Sequence, residues 1–292
     1  MCDERTFADM DEDVARRARL TRRELGVVAA GVGLAMALPA GAESARLESQ
    51  SVVVPTPDGQ ADAFFVHPSE GRHPAALLWP DAFGLRPAIE EMATRLASSG
   101  YAVLAVNPYY RVGPAPIPEP GSDFANPETR KKIMSLMGAL TPAVQQADAA
   151  TFVDYLDAQA AVDPKRPIGT LGYCMGGAYT MRTAAARPDR VAAGASFHGG
   201  RLVTPDEDSP HLLVPKMKAR FLFAIAENDD EQQPEAKDAL RSAFDENGLA
   251  AEIEVYEGAL HGWCPPDSRV YHEAQAERAW SRLLALFSAA LV

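Results

Sequence analysis

Cysteine is scarce in this chain, three in 292 residues, too few for a disulfide framework to hold a domain of this size. The paired motifs that seat metals, H-E-x-x-H and C-x-x-C, do not occur, so neither a metal nor an organic cofactor is expected. Positive charge is also in short supply: 28 Lys and Arg stand against 40 Asp and Glu, a formal net charge of -12. With no basic patch after residue 42, nucleic acid and anionic lipid are poor partners. No apolar run reaches the roughly 20 residues that a membrane span needs, so no permanent span is expected. What remains is a chain with 47% hydrophobic and 23% charged residues, ordinary values for a globular protein with one sizeable core. Small-molecule chemistry is the class of function left open.

The first 42 residues differ from the rest. Thr21-Arg22-Arg23-Glu24-Leu25 forms a twin-arginine box, followed by the apolar run Gly26 to Leu38 and the small residues Ala40, Gly41 and Ala42. This is the layout of a signal peptide, with charged, apolar and small-residue regions in order. Residues 1–42 are therefore expected to direct export through the twin-arginine machinery, the apolar run being too short to stay in the bilayer, with cleavage after Ala42 and a bacterial periplasm as the destination.

From residue 43 onward the pattern alternates. Ser51 to Val54 and Ala61 to Val66 read as extended segments around a Pro-Asp-Gly turn, a β-hairpin at a sheet edge. Short apolar runs at Ala75 to Trp79, Tyr101 to Val106, Ile168 to Tyr173, Val191 to Phe197, Phe221 to Ala226 and Ala251 to Tyr256 read as strands. Helical spacing falls between them at Pro87 to Ser99, Pro127 to Leu140, Pro142 to Gln159, Gly176 to Ala186 and Pro234 to Glu246, and after them at Val270 to Leu291. Alternation of strand and helix over residues 43–292 predicts one α/β domain with a mostly parallel, doubly wound sheet flanked by helices. Arg111 to Asn126, rich in Pro and Gly, reads as a long loop over one end of that sheet, a usual place for substrate contacts.

Chemistry concentrates at three places. Gly172-Tyr173-Cys174-Met175-Gly176-Gly177 lies between a strand and a helix, the setting of a G-x-nucleophile-x-G elbow. Such a turn needs small neighbours so that the two backbones can close up, and it sets the thiol at a helix N-terminus, which favours thiolate. Glu227-Asn228-Asp229-Asp230 follows the strand ending at Ala226, beyond a carboxyl end, where ligands gather in open α/β sheets. Asp229 has the better spacing and Asp230 is the alternative. His261 follows the last strand, and Gly262 allows the turn that would swing its ring over the sheet as a general base. Nucleophile, acid and histidine thus come in the chain order that an α/β-hydrolase uses.

Together with Pro80-Asp81-Ala82-Phe83-Gly84-Leu85 and His261-Gly262-Trp263, these segments resemble the dienelactone hydrolase family over nearly all of residues 43–292. The resemblance implies a triad of Cys174, Asp229 and His261, with the backbone amides of Ala82 and Met175 as oxyanion donors. It also implies substrate contacts at Asp81, which stands where the family has a glutamate, and at Arg111, a match for one carboxylate-binding arginine. The family's arginine shortly after the histidine is missing, since the chain reads Trp263-Cys264-Pro265-Pro266.

The expected function is hydrolysis of a lactone or carboxylic ester through a cysteine acyl-enzyme. Its rivals are a general carboxylesterase or thioesterase on the same scaffold, and a non-catalytic exported binding protein whose cysteine is inert. Cys264 reads as a buried wall cysteine, with pairing to Cys174 a weaker alternative.

Overall fold

The computed structural model describes residues 9, 12–14 and 46–292. The twin-arginine box, the apolar run behind it and the cleavage site after Ala42 lie outside the described residues.

From residue 46 onward the first elements are β1 (Leu47–Thr56) and β2 (Gly59–Pro68), paired antiparallel in register from Leu47 opposite Pro68 to Thr56 opposite Gly59. The hairpin is longer than the sequence pattern indicated, and its turn shrinks to Pro57 and Asp58. Pro55 is tolerated inside β1 because this is an edge strand, where one side of the backbone needs no ladder partner.

Then follow β3 (Ala75–Trp79), α1 (Pro87–Ala97), β4 (Ala102–Val106), α2 (Pro127–Ala139) and α3 (Pro142–Asp157). Next come β5 (Ile168–Tyr173), α4 (Met175–Ala186), β6 (Val191–Phe197) and a 3-10 turn at Pro210–Lys216. The chain ends with β7 (Arg220–Ala226), α5 (Glu227–Gln232), α6 (Ala236–Glu246), β8 (Ala251–Tyr256) and α7 (Glu273–Ala290). The eight strands form one sheet in the order β1-β2-β4-β3-β5-β6-β7-β8, parallel from β4 through β8.

Every residue of β3, β4 and β5 is buried, as expected of parallel strands covered on both faces. Alternation splits their side chains between two cores. Ala75, Leu77 and Trp79 pack with Phe152 and Leu156 of α3 and Met181 of α4, whereas Ala76 and Leu78 pack with Ile89 and Leu96 of α1 and Leu283 and Phe287 of α7. The α/β class and the doubly wound arrangement are those the sequence predicts.

Two elements differ from the sequence reading. The acidic run after β7 is a short helix, α5, with Asp229 inside it. The last helix starts at Glu273 because His272 caps it, its ring accepting from the Gln275 amide, while residues 262–271 wind irregularly toward the sheet.

Strand order reverses between β3 and β5: the chain leaves β3 toward β4 on one side and later adds β5 on the other. A crevice forms at the carboxyl ends of strands at such a reversal. Trp79 and Gly172 are register partners, so the loop that begins at Pro80 and the turn at Cys174 stand side by side there.

Candidate active site

The elbow is built by steric exclusion. Cys174 has φ 54° and ψ -116°, a conformation that an L-residue avoids unless its surroundings impose it. They do so through close backbone approach. A Cβ on Gly172 would lie 2.1 Å from the Gly176 carbonyl oxygen, and one on Gly176 would lie 2.6 Å from that of Trp79. A Cβ on Gly177 would meet Ser196 Oγ at 2.4 Å. β5, β3, β6 and α4 therefore converge on one turn, with Cys174 directly before the first residue of α4.

The Cys174 amide is shared between the Phe197 carbonyl (3.1 Å) and Nδ1 of His198 (3.2 Å). The amides of Met175 and Ala82 donate to no backbone carbonyl among the described residues. Tyr109, just after β4, ties their two segments together: its hydroxyl donates to the Ala82 carbonyl at 3.0 Å and touches Met175 Sδ at 3.4 Å. Two unclaimed amides beside the sulfur are the requirement for holding an oxyanion.

His261 is buried, and its own amide donates to Asn228 Oδ1 at 2.9 Å, fixing the loop. Its Nδ1–H donates to Asp229, 2.7 Å to Oδ2 and 3.0 Å to Oδ1, and the same ring hydrogen-bonds the Cys174 side chain. Gly262, at φ 96°, makes the turn that brings the ring over the sheet. Burial alone would lower the His261 pKa, but Asp229 and then Cys174 reverse this and push it up to about 10. Burial would likewise raise the Asp229 pKa, and His261 instead holds it down at about 2. The resting site therefore carries an imidazolium facing the sulfur at neutral pH, a setting that favours a thiolate.

Asp230, the alternative acid, turns away and binds Lys237 Nζ at 2.6 and 2.7 Å. Asp81 lines the cavity, yet its carboxylate is committed: Oδ1 accepts from the Phe83 amide at 2.8 Å and both oxygens bind Arg86. Arg111 is not brought to the site. Its guanidinium is held by Asp148 and Asp58 and lies over the Tyr110 ring, outside the cavity wall. Cys264 lies in the wall of a separate cavity of about 380 Å³, and neither it nor Cys174 is in a disulfide.

The sequence reading missed His198, Tyr109 and Arg86. His198 follows β6 at φ 40° and is buried edge-on to His261, with ring centroids 5.0 Å apart. Burial, reinforced by His261, pushes its pKa well below the ordinary value. Since Nδ1 accepts from Cys174, the proton sits on Nε2, and that atom has no hydrogen-bond partner among the described residues. A polar residue just past the carboxyl end of β6, the neighbour of β5, was the available signal.

Cys174, His198 and His261 form the floor of a cavity of about 760 Å³, large enough for a small organic substrate. Its roof is the segment from Pro116 to Ala125, within the long loop after β4. Phe83 and Phe124 meet edge to face across it at 5.2 Å.

Comparison with known proteins gives a consistent picture. Residues 61–291 match the model of the dienelactone hydrolase family. A protein of Salmonella typhi named "Putative carboxymethylenebutenolidase" is 29% identical over 259 residues, covering 86% of this chain and 89% of that one. A "Probable 2-oxo-3-(5-oxofuran-2-ylidene)propanoate lactonase" of Bradyrhizobium sp is 27% identical over 218 residues, covering 73% and 83%. The crystal structure of a "Putative Dienelactone Hydrolase" from Klebsiella pneumoniae superposes with a TM-score of 0.71 at 24% identity, covering 83% of this chain and 99% of that one.

Proposed function

The chain belongs to the dienelactone hydrolase family, and on that premise we propose that it opens a lactone or carboxylic ester through an acyl-enzyme on Cys174. The observation that carries this reading is a single buried histidine joined to both Asp229 and Cys174, with the sulfur at the floor of a substrate-sized cavity.

In the first half-reaction the Cys174 thiolate attacks the carbonyl carbon, and the oxygen takes up charge beside the Ala82 and Met175 amides. The C–O bond then breaks, the leaving oxygen takes the His261 proton, and a thioester remains. His261, now neutral and held by Asp229, takes a proton from water. The hydroxide attacks the thioester, and the thiolate departs while His261 keeps the proton. A thiolate is expelled easily from its own tetrahedral intermediate, so substrates with good leaving groups, such as enol lactones and activated esters, are favoured over amides.

Absorbance-monitored hydrolysis of an enol lactone and of p-nitrophenyl esters, with the Cys174→Ala variant as control, tests the reading. A rate above background that disappears in the variant, with a transient acyl adduct on Cys174 in mass spectra, is the expected result. Equal rates for the two proteins would overturn it. We also propose export, on the sequence of residues 1–42 alone. Periplasmic recovery of the parent, and cytoplasmic retention when Arg22 and Arg23 are both changed to Lys, is the expected outcome of cell fractionation.

A further inference from the structure

The described wall of the active-site cavity contains two arginines, Arg86 and Arg269, against five acids, Asp81, Glu91, Glu119, Asp123 and Asp267. Neither arginine faces the cavity unengaged. Arg269 pairs with Asp123 at 3.4 Å.

Arg86 is more completely occupied. A guanidinium has five N–H donors, and here every one is used. Nε donates to Asp267 Oδ2 at 2.7 Å and Nη2 to Asp267 Oδ1 at 2.9 Å. Nη1 and Nη2 donate to the two oxygens of Asp81 at 2.8 and 2.9 Å, and the remaining Nη1 proton goes to the Gly84 carbonyl at 3.3 Å. Burial opposes the charge on Arg86, but Asp81 and Asp267 hold its pKa above the ordinary value. The arginine thus sits at the cavity as a permanent cation already gripped by two carboxylates.

The two acids differ in setting. Asp81 is buried against its own loop, whereas the Asp267 side chain is 45% exposed and reaches Arg86 from a segment 181 residues further along the chain. Asp267 takes the Nε/Nη2 edge of the fork in the paired, in-plane geometry by which an arginine binds any carboxylate. A carboxylate on a substrate would compete with this intramolecular one for the same edge, and would approach a wall where acids outnumber arginines.

From this geometry we infer that the site selects uncharged acyl substrates, and that Asp267, by occupying the open edge of Arg86, is the residue that excludes those bearing a carboxylate. This specificity rests on the hydrolase reading above. The rest of the lining agrees with it, since Phe83, Phe124 and the prolines at 116, 118 and 120 add contact area and no positive charge.

A matched pair of substrates tests the inference: mono-p-nitrophenyl adipate and its methyl ester, which share one acyl chain and differ in terminal charge. At low ionic strength the parent is expected to favour the methyl ester at least tenfold in kcat/KM. Asp267→Ala is expected to lower that ratio at least fivefold by releasing two Arg86 donors, and Asp267→Glu to restore it. A parental ratio below about threefold overturns the inference, as does a ratio that Asp267→Ala does not move.

If neither ester is hydrolysed faster than by Cys174→Ala, the hydrolase reading fails, and binding alone then decides the charge preference. Methyl adipamate and adipamate are the matched amides. Protection of Cys174 from iodoacetamide by methyl adipamate at a concentration at least tenfold lower than adipamate supports the inference, and equal protection overturns it.

Discussion

Cys174 and Cys264 both stand outside any disulfide and both are buried, with 4% and 7% of their surface exposed, yet their surroundings have nothing else in common. Cys174 precedes a helix in a backbone conformation that few residues adopt, and faces a charged histidine. Cys264 sits in a wall with Tyr173, Phe197 and Trp280, where burial alone pushes its thiol pKa well up. Burial is therefore not what distinguishes the proposed nucleophile from a packing residue. The distinction lies in the charge and backbone dipoles around the sulfur.

The largest test of that contrast removes each sulfur in turn. Cys174→Ala is expected to reduce ester or lactone turnover by at least about 10³-fold, since no other nucleophile occupies the floor. Cys264→Ala should stay within about threefold of the parent. A large loss of turnover on Cys264→Ala without loss of fold, read by circular dichroism, would break the comparison.

Next in size is the acid. Asp229→Asn is expected to cost about 10²- to 10⁴-fold in kcat because the amide leaves the His261 proton and ring orientation unsupported. Asp230→Asn should change kcat by only a few-fold, because that carboxylate serves Lys237.

The pH dependence of stability sharpens the contrast further. The folded His261 pKa, about 10, lies above its ordinary 6.5, so its contribution is complete below pH 6.5 and is lost as pH rises through about 10. The folded Asp229 pKa, about 2, lies below its ordinary 3.8, so its contribution is complete above that value and is lost as pH falls through about 2. Melting temperatures scanned with pH should fall on both flanks in the parent. In Asp229→Asn the decline between pH 6.5 and 10 should flatten.

Among the residues that touch the Cys174 turn or His261, the smallest loss is expected at His198. Asn tolerates a positive φ better than most residues and keeps an acceptor near the Cys174 amide, so His198→Asn should retain the fold and lose about three- to tenfold in kcat. His198→Leu should lose more turnover and melt lower, because it keeps the strained backbone without the acceptor.

Much of this site was legible in the sequence, for an identifiable reason. Elbow, acid and histidine each follow a short apolar strand, and strands that are buried on both faces announce themselves as unbroken hydrophobic runs. Once β5, β7 and β8 were located, the polar residues just past their ends had to gather at one edge of the sheet. Choosing Asp229 over Asp230 by spacing agreed with the His261 contact, although the residues proved to lie in a helix. The partners of Arg86 and Arg111 were not legible. Asp267 is 181 residues from the first, and Asp58 and Asp148 lie 53 and 37 residues from the second. Ion pairs of that separation leave no periodic trace, since either residue alone looks like an ordinary surface charge. His198 was hidden for a different reason: only the β5–β6 pairing brings it to the Cys174 amide.

On the acyl-enzyme reading, with Cys174 as the nucleophile, the elbow also bears on the timing of catalysis. With Gly172, Gly176 and Gly177 wedged against their neighbours, the backbone that carries the sulfur has almost no independent freedom, and its placement was settled when the chain folded. Each encounter then needs only the incoming carbonyl to find its orientation, which gives a fixed nucleophile a high effective molarity. The Cys174 turn thus converts folding energy, spent once, into a reaction rate drawn on at every turnover.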